Sequence, residues 1–213
     1  MFEVFQIGSI IIHPVYIAVV TSFLISYLLI WDSEDKQELY KLWLKSIIIL
    51  FLVYKLSFLI FDISQISSWI YADGGSEGLL AGIVVSYAYL IYKTDRLYFV
   101  ESYMFLAVSF IMLYNYFEYQ SLSQWPYLVL MAVSLLSLSA MYFLSNHFRK
   151  ILTVFVVTTI TQLILRMFIY NGEILIGLSI IEWWLLISLA YVIVITFRGL
   201  KNEVGDTMKA NEP

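Results

Sequence analysis

Four ionisable side chains stand inside apolar stretches of this sequence: Lys55, Glu77, Arg166 and Glu182. Charge in hydrocarbon costs several kcal/mol, so such residues face a cavity or a partner. One chemistry that suits them is capture of an anionic phospholipid head group. Arg166 would give phosphate a planar fork, and Lys55 a point charge. Glu182 would then balance the cations, with Tyr16 and Ser76 as polar neighbours in the same outward-opening pocket. The other arrangement is internal pairing, Lys55 with Glu182 or Asp62 and Arg166 with Glu77 or Glu182, which fixes helix register without binding anything. For catalysis the candidates are Glu77 and His13, each able to act as a general base. His13 is followed by Pro14, whose ring can bend a helix.

The elements that must position these residues follow from composition. Of the 213 residues, 62% are apolar and only 13% charged, half the charged share of a water-soluble domain. The mean hydropathy is +0.85, so the natural solvent is a bilayer. A net charge of -4 excludes nucleic-acid binding through bulk basicity. The chain has no cysteine and two histidines, which removes disulfides, thiolate chemistry and Cys-ligated metals; no metal and no cofactor are expected. The fold class expected is an all-α polytopic membrane protein with seven transmembrane helices. The spans cover 9–31, 42–61, 74–92, 102–117, 126–145, 151–170 and 174–197. Residues 1–197 then form one membrane domain and 198–213 a polar cytoplasmic tail. The first apolar run has no basic leader and is too long for a cleavable signal.

Lysine and arginine sort cleanly among the connections. Lys36, Lys41 and Lys45 flank the first, Lys93 and Arg96 the third, Arg149 and Lys150 the fifth, while Arg198, Lys201 and Lys209 lie in the tail. The alternate connections carry Asp62, Asp73, Glu118 and Glu173. By the positive-inside bias the N-terminus is outside and the C-terminus cytoplasmic, which requires an odd number of spans. Of the twelve basic residues only Lys55 and Arg166 are then left inside helices. The third span opens with Gly74, Gly78 and Gly82 at four-residue spacing, a ridge of small residues suited to close helix packing. The same run could also bring bare backbone and a positive helix end to a phosphate.

The order of these features resembles the prolipoprotein diacylglyceryl transferases. FQIGSIIIHPVY is similar to that family's FxIGPxxIRWYG, and VYKLSFLIF to its GARLFYVLF, with Lys55 in place of Arg. GGSEGLLAGIVVSYAYLIYK resembles GGLxxHGGLLGGxxAxYxYxRK, and LILRMFIY resembles RFxxE with Arg166 retained. The departures fall on the chemistry. Ser76 and Glu77 stand where the family has its essential histidine, LYNYFEYQ replaces the glycine-arginine-x-glycine-asparagine signature, and Tyr170 replaces a glutamate. The insertion that covers the site shrinks to residues 118–125.

The resemblance implies a bacterial plasma membrane and a repurposed or inactive relative, one that keeps a phospholipid pocket or scaffolds another membrane protein. An active divergent transferase moving diacylglyceryl from phosphatidylglycerol to a lipoprotein is the alternative, with Glu77 or His13 as its base. A small transporter or channel is a further one, against which stand the lack of an internal repeat and the confinement of the charges to one leaflet.

Overall fold

The computed structural model describes residues 5–7, 10–12, 14–29, 36–61, 75–94, 97–144, 147–169 and 178–210. Among them are eight helices: α1 Pro14–Leu29, α2 Lys36–Leu56, α3 Phe58–Phe61, α4 Gly75–Lys93, α5 Leu97–Leu122, α6 Trp125–Phe143, α7 Phe148–Ile169 and α8 Ile180–Ala210. Five stretches are long and apolar enough to cross a membrane: Gln37–Ile60, Phe99–Leu122, Trp125–Phe143, Phe148–Ile169 and Ile180–Leu200. Their outward faces are apolar, as a lipid environment requires, with Leu136, Phe143 and Phe168 each more than two-thirds exposed.

The helix ends depart from the sequence reading for local reasons. Helix was expected from Ser9, but Phe5–Ile7 (β1) and Ile10–Ile12 (β2) form a small antiparallel hairpin with Ile7 opposite Ile10. Consecutive isoleucines favour the extended backbone, and Pro14, with no N–H to leave unsatisfied, suits the first helical position. α2 begins six residues before the expected span, on the polar Lys36, because Leu39, Trp43 and Ser46 continue its buried stripe. A single turn residue, Ser57, separates it from α3. α5 runs past the expected end at 117 and stops where Ser123 takes a positive φ of 52°. Gln124 and Pro126 then start α6. α8 continues through the whole segment 198–210, so the polar tail begins as an uninterrupted extension of the last helix.

The chain divides into two compact units, residues 1–33 with 100–169 and residues 34–99 with 170–213. In the first, α6 packs along α7. In the second, α4 packs against both α2 and α8. The α2–α4 approach depends on missing side chains. A Cβ on Gly82 would lie 2.8 Å from the Leu50 carbonyl oxygen, and one on Gly78 would lie 2.0 Å from the Ser57 hydroxyl. Gly74 is outside the described residues.

Gly82→Ala sets two effects against each other. Alanine improves helix propensity by about 1 kcal/mol, whereas pushing α2 away from α4 costs typically 1–3 kcal/mol. A backbone carbonyl cannot rotate aside as a side chain does, so the variant is expected to unfold at lower temperature in detergent, followed by circular dichroism. An unchanged or raised midpoint would refute the close approach.

Candidate functional site

The site grows from two helical stripes in the first unit. On α7 the buried positions are Ile151, Phe155, Thr158, Thr159, Gln162 and Arg166, one face at helical spacing that turns from apolar to polar along its length. On α5 the buried face includes Val108, Ile111, Asn115 and Glu118. These two polar ends meet. Arg166 Nη2 donates to Glu118 Oε2 at 2.9 Å and also to Asn115 Oδ1. The guanidinium lies over the ring of Tyr114, 5.2 Å from its centroid.

From there the hydrogen bonds run in one direction. Guanidinium groups only donate, so Asn115 must turn its oxygen to Arg166 and its NH₂ away. Asn115 Nδ2 donates to Gln162 Oε1 at 3.2 Å, and Gln162 Nε2 donates to Ser134 Oγ and the Leu130 carbonyl, both at 2.8 Å. The orientation of each amide is thus dictated by the one before it, and the sequence ends on the backbone of α6. Further along the same α6–α7 contact the hydroxyls of Thr158 and Ser137 meet at 2.6 Å. Arg166, Asn115, Gln162 and Ser134 are all 2% exposed or less. Among the described residues, Arg166 Nε is a buried donor without an acceptor.

The carboxylate on Arg166 is therefore that of Glu118, where the sequence reading considered Glu77 or Glu182. Glu118 was placed in an outer connection because YFEYQ is polar, yet α5 carries it as a buried helical residue. Asn115, Gln162 and Ser134 were also missed. Their signal was present as spacing: Asn115 and Glu118 are three apart and Gln162 and Arg166 four apart, the separations that share a helix face.

The other expected residues take different places. Glu182 was read as lying two turns inside a helix beginning at 174. α8 begins at Ile180, so Glu182 is in its first turn and accepts from the Ser179 backbone N–H at 2.6 Å and its hydroxyl at 2.8 Å. Ser179-Ile-Ile-Glu182 has the capping-box pattern, with the glutamate arm formed, readable from the sequence as Ser-x-x-Glu before an apolar run. Lys55 sits half-buried in the last turn of α2, and Glu77 is exposed in the first turn of α4. Tyr16 and Ser76 occupy early turns of α1 and α4. His13 lies outside the described residues. Arg166 belongs to the first unit, and Lys55, Glu77 and Glu182 to the second. The chain matches no family model, no curated protein and no solved structure.

A double-mutant cycle measures the coupling at this site. Removing one member of a buried ion pair strands the other, at about 3–5 kcal/mol, while replacing both with apolar groups is near neutral. Glu118→Leu and Arg166→Met should each lower the unfolding midpoint in detergent strongly, and the double variant should recover most of that loss. Strictly additive losses would mean the two are not coupled.

Proposed function

We propose that the chain is a seven-span protein of a bacterial plasma membrane, with its N-terminus outside and its C-terminus cytoplasmic. In this reading it is a repurposed, non-catalytic relative of the prolipoprotein diacylglyceryl transferases that serves as a membrane scaffold for a protein partner. The observation that carries the reading is the closure of Arg166 by Glu118 and Asn115. An arginine that holds a substrate phosphate must present its fork to it. Here one terminal nitrogen is committed to two neighbours on α5. The group thereby joins α5 to α7, and through Gln162 to α6, as a framework element.

A second reading keeps a lipid at this centre. It is favoured by Arg166 Nε, a buried N–H that is free to donate to a phosphate oxygen. The catalytic alternative has less support: Glu77 is exposed, and no carboxylate or histidine activates it among the described contacts.

Expression in a strain depleted of its own diacylglyceryl transferase tests the reading. The chain is expected to accumulate normally in the membrane and not restore growth; rescue would overturn the non-catalytic assignment. Orientation is checked separately, and the absence of native cysteine makes this direct. Single-cysteine variants Gln124→Cys and His147→Cys, at opposite ends of α6, should differ in intact cells treated with an impermeant maleimide. Gln124→Cys should react at once and His147→Cys only after permeabilisation. The reverse pattern would invert the topology.

A further inference from the structure

Arg198 on α8 reaches across to α4, its Nη1 donating to the carbonyl oxygen of Ile91 at 2.8 Å. Ile91 is in the last turn of α4, where carbonyls lack intrahelical partners and a cation is favoured by the helix dipole. Lys93, two residues on, also belongs to that last turn, with Nζ 4.9 Å from the centroid of the Tyr92 ring. Both cations are exposed. Neither has a carboxylate partner among the described residues, in contrast to Arg166. Around them are apolar side chains facing outward: Tyr92 is 79% exposed and Phe197 71%. Aromatic rings beside exposed cations at a helix end are the arrangement found at the boundary between acyl chains and head groups.

We propose that Lys93 and Arg198 form a binding site for the head group of an anionic phospholipid in the cytoplasmic leaflet. The carbonyl of Ile91 uses one N–H of the guanidinium and fixes its depth, leaving the remaining donors for phosphate oxygens. Lys93 adds a second positive charge from the same helix end, and Tyr92 and Phe197 lie against the upper acyl chain. The site is distinct from the outer-half centre at Arg166, since both its residues come from the second unit. It rests on the membrane reading above, and its placement in the cytoplasmic leaflet rests on the orientation given there.

The test uses the full chain reconstituted into nanodiscs of equimolar phosphatidylcholine and phosphatidylglycerol, then released for native mass spectrometry of retained lipid. Wild type should retain phosphatidylglycerol in preference to phosphatidylcholine. With each interfacial cation contributing about 1 kcal/mol, Lys93→Gln/Arg198→Gln should reduce that preference about thirty-fold. The charge-preserving Lys93→Arg/Arg198→Lys should retain most of it. Three results would overturn the site: retention unchanged in the double neutralisation, loss in a variant that also loses its helical circular dichroism while the charge-preserving one does the same, or an equal loss from Arg149→Gln/Lys150→Gln, which would reduce the effect to general surface charge. Accessibility of Lys201→Cys reports the leaflet independently. Labelling from outside intact cells would overturn the cytoplasmic placement, whereas a failure of lipid retention with inside labelling would count against this site alone.

Discussion

A guanidinium group shut away from water has only donors, and everything around it must accept. That constraint organises the first unit. Arg166 takes the carboxylate of Glu118 and the oxygen of Asn115, and this leaves the Asn115 amide nitrogen pointing at Gln162. Gln162 must then accept with its oxygen and donate with its nitrogen, which finds Ser134 and a carbonyl on α6. Three helices are held in register by consequences of one charge. A one-residue rotation of α7 would swing Arg166 by about 100° and strand both ions of the pair. Register specification of this kind is the best-attested use of a buried polar group.

The second unit meets the same lack of a hydrophobic driving force with shape. Lipid tails are as apolar as leucine, so helices associate through close packing and a few hydrogen bonds. Gly82 lets α4 approach to within a Cβ's reach of the Leu50 carbonyl. On its other side α4 meets α8 through Tyr87 and Ser188, whose hydroxyls are 2.8 Å apart, and through the edge-on rings of Tyr87 and Tyr191. The α4–α8 contact also includes the Arg198 guanidinium on the Ile91 carbonyl, but no ion pair is among these contacts. Substitution at the α2–α4 approach is therefore felt by volume, and at the Arg166 centre by charge and hydrogen-bond direction.

Much of this was legible in the sequence, and the rest was hidden by where polarity falls. Apolar length marked α6 and α7 to within a turn, because a bilayer demands that length, and located α2, α5 and α8 with ends displaced by five residues or more. Arg166 stood out as a cation with no loop to belong to. Its partner did not, because Glu118 lies among Tyr, Gln and Ser at the end of an apolar run, where polarity reads as the start of a connection. The helix continues there because burial against α7, rather than composition, decides its end. Glu182 shows the opposite error. Hydropathy places it two turns inside a helix, because the apolar run ILIGLSII reads as helical from its beginning, although Ser179 and Glu182 spell out a later start. Capping chemistry is local and readable, and it outranked hydropathy at that point.

Magnitudes decide where on this chain an anionic lipid would find a cation. For a phosphate to take Arg166 Nη2, the carboxylate of Glu118 must be displaced, and an unpaired carboxylate away from water costs several kcal/mol. A charge-assisted hydrogen bond returns about 1.5–3 kcal/mol. One such bond to Arg166 Nε leaves Glu118 in place and is affordable only if the rest of the phosphate charge reaches another donor. At Lys93 and Arg198 there is no carboxylate to displace among the described residues, and the groups are already solvated, so binding exchanges water for phosphate at little desolvation cost. The physical difference between the two sites is thus the presence of an internal anion. A chain that carries its own counter-ion at Arg166 has turned that residue inward, whereas Lys93 and Arg198, with no carboxylate partner among the described residues, keep their charge exposed.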